Sequence, residues 1–188
     1  MALLAPKGHR ALWAVTAVLL LLAVPPARAQ VRAEASDVQA VFLFNFAQFV
    51  EWPSDAFSGP KDPLVIGVLG DDPFGSILDE TVHGETVRGR PFKIRRFRRL
   101  DEVKNCHILF ISRSEAKRLE EILALVRGRP ILTVSNGDDF TDQGGIIRFI
   151  LEQDRIRLSI DLEAAQTTRL TFSSKLLRLA AVAPAQRP

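Results

Sequence analysis

Apolar and polar positions fall into two regimes along this chain. Ala11 to Val24 is a continuous apolar run, broken only by Thr16 and closed by Pro25 and Pro26. Beyond it the pattern becomes periodic. Ser36-Asp37 reads as an N-cap, and the residues after it predict a helix from about Val38 to Val50, ended by Trp52-Pro53. Leu64 to Leu69 is apolar apart from Gly67, which predicts a strand buried on both faces. Gly70-Asp71-Asp72-Pro73 is a turn, and a helix from about Phe74 to Val82 follows, with Pro73 suited to its start. Gly84 to Pro91 is turn-rich. Phe92 to Phe97 alternates apolar and basic residues, the pattern of a half-exposed strand.

His107 to Ile111 predicts the next strand. Ser112 to Ser114 opens a helix to about Val126, with Leu119, Ile122, Leu123 and Val126 on one face, and Gly128 stops it. Pro130 to Val134 is another buried strand, and Asn136-Gly137-Asp138-Asp139 a loop. Ile146 to Leu151 and Arg155 to Ile160, joined by Glu152-Gln153-Asp154, predict a hairpin. Ala164 to Thr168 and a stretch capped by Ser173-Ser174 and running to about Ala181 are helical. Pro184 to Pro188 reads as a short flexible tail. This order predicts a single α/β domain: a mostly parallel central sheet, helices on both faces, and a C-terminal antiparallel hairpin at one edge.

The N-terminal run changes what the rest means. Lys7, His9 and Arg10 precede it, and Ala27-Arg28-Ala29 follows it. That is the charged, apolar and small-residue order of a cleavable secretory signal over residues 1–29. A spanning helix needs about 20 apolar residues, and this run is shorter. The expectation is an exported, periplasmic domain of residues 30–188, cut near Ala29-Gln30 and not itself membrane-spanning afterwards.

Cleavage also changes the charge. The whole chain carries 25 Lys+Arg against 22 Asp+Glu. Lys7, Arg10 and Arg28 leave with the signal and no acid does, so the mature chain holds 22 of each sign. Nucleic-acid binding, which calls for a basic excess, is not expected. Cys106 is the single cysteine and cannot form an internal disulfide. A buried free thiol is its plain reading, with intermolecular pairing or redox sensing as the alternative. His83 and His107 are the histidines that remain, and no Cys/His cluster predicts a metal site or other cofactor.

Catalytic motifs fail in detail. Gly67 to Gly75 spans a strand-to-helix turn, but its glycines lack dinucleotide spacing and Asp71-Asp72 would repel a pyrophosphate. Those two acids resemble a phospho-receiver pocket, yet the neighbouring strands end in Ser112 and Ser135 rather than a third acid. No G-x-S-x-G occurs. Ser173-Ser174-Lys175 lacks S-x-x-K spacing, because Phe172 stands where the serine belongs. No catalytic residue is assigned, and a non-enzymatic protein is expected.

Two features fit binding. Lys93-Ile94-Arg95-Arg96-Phe97-Arg98-Arg99 is either a solvated edge, neutralised by Asp101 and Glu102, or a docking patch for an acidic partner or anionic lipid headgroups. The first helix, Val41 to Val50, holds only Asn45 and Gln48 as polar residues. With Trp52 they predict one narrow polar stripe, so the helix needs apolar neighbours on two sides. One is the sheet, and the other is more of this chain, a second subunit or a partner. Phe42, Phe46, Phe49 and Trp52 are the candidate partner-binding residues.

Asn45-Phe46-Ala47-Gln48-Phe49-Val50-Glu51-Trp52-Pro53 resembles the opening signature of the YfiR family of periplasmic regulators. The resemblance continues through Ile66–Gly75, Gly89-Arg90-Pro91, Cys106–Ser112, Gly144–Phe149 and Ser173–Ala180, in order over nearly all the mature chain. It implies a dimeric, non-enzymatic protein that binds the periplasmic sensory domain of an inner-membrane diguanylate cyclase. By repressing that enzyme it would lower cyclic di-GMP and disfavour biofilm. Family members carry disulfides, and Cys106 matches one of their positions without its partner. Asp161 stands where they often have Asn. The competing expectation is a periplasmic small-molecule binding module serving another receptor.

Overall fold

Leu64–Leu69 (β2) is buried at all six positions, as an apolar run flanked by strands on both sides should be. Those flanking strands are Arg90–Phe97 (β4) and Ile108–Ile111 (β5), both parallel to it. The computed structural model describes residues 27–182. The apolar run Ala11–Val24 that carries the export expectation lies outside the described residues, as does the tail Pro184–Pro188. The chain divides into two units, residues 1–32 and 33–188. The first contributes, among its described residues, the opening turn of helix α1 (Ala27–Phe49); everything below concerns the second.

From one edge the sheet runs β10 (Ala180–Val182), β8 (Arg155–Ile160), β7 (Ile147–Glu152), β6 (Leu132–Ser135), β5, β2, β4 and β3 (Thr86–Val87). Beyond β5 come Leu132–Ser135 (β6) and Ile147–Glu152 (β7), each parallel to its predecessor. Arg155–Ile160 (β8) returns antiparallel to β7. The two-residue β3 (Thr86–Val87) pairs antiparallel with the start of β4. Separately, Val50–Glu51 (β1) pairs with Thr171–Phe172 (β9).

Strand alternation sorts the core into two layers. Leu64, Ile66 and Val68 of β2 pack with Ile108, Phe110, Val134 and Phe149, and with Leu43, Phe46 and Ala47 of α1 and Leu78 of α2 (Ser76–Val82). Val65 and Leu69 point the other way, toward Phe97, Val103, Leu109 and Ile111. There they meet Leu119, Ile122 and Val126 of α3 (Leu119–Val126). Helix α4 (Leu162–Gln166) and α5 (Ser174–Leu179) complete the chain.

Three expectations need correction. Ser36-Asp37 does not begin the first helix, which already runs from Ala27; Ala, Gln, Arg and Glu before the supposed cap are good helix formers. The hairpin is not at the edge, because Ala180–Val182 (β10) pairs parallel outside β8. Three residues are too few to show a period of two, so β10 reads as the end of a helix. The segment after Ser112 is first a 3-10 helix, Arg113–Arg118, and α-helical only from Leu119.

The crossover from β6 to β7 contains no helix, although parallel neighbours usually need one. Phe140 stands in for it by burying its ring completely in the second core layer. Gly145 lies so close to that ring that a Cβ there would collide with it.

Candidate functional site

In sheets of this kind ligands bind at the carboxyl ends of the strands, where the order of strand addition reverses. Here the reversal falls between β2 and β5. Hydrogen bonds of the protein itself cross the crevice and flank it. Ser114 sits over Gly70, which has φ +88°, and its Oγ accepts the Asp71 N–H at 2.9 Å. Asp72 Oδ1 accepts the Phe74 N–H at 2.8 Å. Its other oxygen takes Arg96 Nε at 2.7 Å, while the same guanidinium reaches Asp79 and the Gly75 carbonyl. That bonding to Arg96 holds the Asp79 carboxyl below its usual range. Further along, Ser135 Oγ donates to the Ile111 carbonyl at 2.6 Å and accepts the Gly137 N–H. Asp71 and Asp72 are thus turn and clamp residues.

The basic run divides the same way. Arg96 is tied to Asp72 and Asp79, Arg99 pairs with Asp101, and Arg95 lies over the Phe97 ring. Lys93 and Arg98 are exposed. Sequence reasoning placed the neutralising acids at Asp101 and Glu102 and missed the larger clamp, which comes from the preceding loop and α2.

Helix α1 brings some of the predicted binding residues together and separates others. Phe46 is fully buried and stacks on Phe149 with centroids 5.9 Å apart. Phe42, half-buried, lies 6.0 Å from both Phe46 and Phe149. Phe44 meets Phe92 at 5.3 Å, so more of this chain supplies part of the second apolar neighbour. Phe49 turns elsewhere, with Lys175 Nζ 5.2 Å from its ring. Trp52 is not on the helix at all, because α1 stops at Phe49 and β1 follows. The outward face of α1 instead exposes Val38 (45%) and Val41 (48%). Their i, i+3 spacing was the available signal.

Trp52 belongs to a cluster at the amino end of the parallel strands. Its Nε1 donates to the His107 carbonyl at 3.2 Å. The His107 ring stacks on Phe57 at 4.3 Å, and the Arg90 guanidinium covers the other ring, 3.7 Å from its centroid. The Val65 N–H donates to His107 Nδ1 at 3.0 Å, so the neutral ring carries its proton on Nε2, facing the Ala56 carbonyl at 3.1 Å. Burial, aided by Arg90 and opposed by the Ala56 bond and Asp62, lowers the His107 pKa from 6.5. This cluster pins loop 52–62 to the sheet. The sequence carried no sign of it, since Trp52 and His107 are 55 positions apart.

Neighbouring Cys106 is free and buried. Burial pushes its thiol pKa up, and Sγ–H donates to the Val103 carbonyl at 3.0 Å. A thiolate is disfavoured there, which suits the plain reading of an inert core thiol.

A cleft of about 480 Å³ opens at the same amino end, between the C-terminus of α3, the β6–β7 crossover and α4. Leu123, Val126, Ile131 and Ile146 form its apolar wall and Thr133, Thr141, Asp161 and Glu163 its polar side. Sequence reasoning assigned none of these to a site, because they come from four separate segments.

A family model described as YfiR/HmsC-like matches residues 36–181. The matched span takes in all of the sheet but its last residue, Val182, and the whole amino-end cluster. A comparison with curated proteins gave no match.

Proposed function

Because the chain belongs to the YfiR/HmsC-like family, we propose that it is a periplasmic, non-enzymatic regulator of cyclic di-GMP signalling. In this reading the exported domain binds the periplasmic sensory domain of an inner-membrane diguanylate cyclase and holds that enzyme inactive, and it works as a homodimer. The carrying observation is the family match over residues 36–181. Two structural features support it. The usual ligand crevice, between β2 and β5, is crossed by the hydrogen bond from the Asp71 N–H to Ser114. Among the described residues no helix is long and apolar enough to cross a membrane.

Partner contact is assigned to α1. Val38 and Val41 supply exposed apolar surface, half-buried Phe42 adjoins Val41 in the chain, and half-buried Phe49 lies two turns further along the helix. Buried Phe46 supports Phe42 from below, and Trp52 fixes the chain where the helix ends. Repression is then a population shift, in which the regulator binds the inactive arrangement of the sensor more tightly than the active one.

The test is capture of membrane proteins by the tagged full chain, together with cyclic di-GMP measured in a deletion strain. A cyclase recovered with the bait and a rise in cyclic di-GMP on deletion are expected. Val41→Glu, a surface change, should abolish both capture and repression while leaving the thermal midpoint within a few degrees. Unchanged cyclic di-GMP with no membrane protein recovered overturns the reading.

A further inference from the structure

The amino-end cleft has the size of a ligand site, since pockets for small molecules run from about 300 to 1,000 Å³, and it measures about 480 Å³. Its chemistry is two-sided. The wall of Leu123, Val126, Ile131 and Ile146 is drawn from residues no more than 6% exposed. Opposite it stand Asp142, Asp161 and Glu163, three carboxylates against the single guanidinium of Arg127.

Two hydroxyls on the lining belong to buried residues. Thr141 is only 6% exposed as a residue, and its hydroxyl, which makes no hydrogen bond to the described residues, is not among the buried side-chain atoms left without a partner and so is reached from the cleft. Thr133, 3% exposed, accepts the Ile146 N–H at 3.0 Å, which leaves its own proton unassigned. Asp161 adds a third open position. Its Oδ1 caps α4 by accepting the Glu163 and Ala164 N–H groups, and neither bond uses Oδ2. An Asn would cap the helix equally well. The aspartate also places a negative charge at the cleft, which an asparagine cap would not.

We propose that this cleft binds a small organic cation: an ammonium group on a short apolar body, as in an alkyl or arylalkyl amine. The ammonium is a pure donor and meets Asp161 Oδ2, Glu163 and the Thr141 oxygen. The body lies on the Leu123–Val126–Ile131–Ile146 wall. This goes beyond the partner reading, and neither depends on the other: the cleft is lined by α3, α4 and the crossover, not by α1.

The test is calorimetric titration of the full chain at neutral pH with phenethylamine, its uncharged counterpart 2-phenylethanol and its anionic counterpart phenylacetate. Saturable binding of the amine, at least about fivefold tighter than either counterpart, is expected. Asp161→Asn keeps the cap and should keep the thermal midpoint of the unliganded protein, while weakening the amine about fivefold. Glu163→Gln, at an exposed position, should weaken it in the same direction, and serves alone if Asp161→Asn does not fold. No saturable amine binding, equal binding of phenylacetate, or undiminished binding to both variants overturns the proposal. Loss of amine binding with cyclase capture intact would remove this inference and leave the regulator reading standing.

Discussion

The two ends of the parallel strands are built by opposite means. The carboxyl end, where α/β sheets usually take ligands, is stitched shut by turns, a serine over a glycine and an arginine between two aspartates. The amino end is held by rings, with Trp52, Phe57 and the Arg90 guanidinium gathered around His107. It also keeps an open cleft, with the Thr133 and Thr141 side chains and three carboxylates on its lining.

The closed end should be the less forgiving of added volume. Gly70→Val places a side chain against Ser114 and Glu115 at φ +88°, combining backbone strain with overpacking. A loss of about 3 kcal/mol is expected in urea unfolding. A loss below about 1 kcal/mol would show that the crevice can reopen, and the contrast between the ends would fail. At the open end Trp52→Ala removes a half-buried ring and the bond to the His107 carbonyl, costing about 2 kcal/mol. Trp52→Phe keeps most of the ring and should lose only about 1 kcal/mol.

How much of this was legible in the sequence differs between the ends for a physical reason. Leu64–Leu69, Ile108–Ile111 and Leu132–Ser135 announce themselves because strands buried on both faces are uniformly apolar. The Gly70–Pro73 turn is equally local. The amino-end cluster joins Trp52, Ala56, Val65, Arg90 and His107, which share no periodicity, so only the folded chain reveals them. Residues Ala180–Val182 are too short for alternation to mark them as a strand. Helix α1 was half legible. Its surplus of apolar residues was plain, but Phe46 proved wholly internal, Trp52 lay beyond the helix, and the exposed apolar pair was Val38 and Val41.

Acid should separate the ends further. The folded state lowers the His107 pKa below its ordinary 6.5, chiefly by burial, so the unfolded chain takes up the proton first. Its contribution is present in full above pH 6.5 and is lost as pH falls below that value. Protonation at Nδ1 also removes the acceptor for the Val65 N–H. The loss is expected to be at most about 1 kcal/mol between pH 6.5 and 5.5. It should appear as faster amide exchange in residues 52–65 ahead of the rest of the sheet. A His107→Gln variant should show a flat profile over that window, and an unchanged slope would clear His107 of the effect.

The smallest effect belongs to the clamp at the other end. Bonding to Arg96 lowers the Asp79 pKa from 3.8, so its contribution is intact above about that pH and fades as pH falls through the folded value. Arg96 and Asp79 side chains are 41% and 49% exposed, and solvent screening keeps such a pair weak. A double-mutant cycle of Arg96→Met and Asp79→Asn should give a coupling of roughly 0.3–0.8 kcal/mol at pH 7 and low salt, shrinking in high salt. The same cycle at pH 5.5 should be unchanged, because Asp79 is still charged there, while the stability contribution of His107 is already being lost. A coupling that fell between pH 7 and 5.5 would mean that protonation at the amino end reaches the carboxyl end through β2. The two ends would then be one cooperative element and not two independently fastened ones.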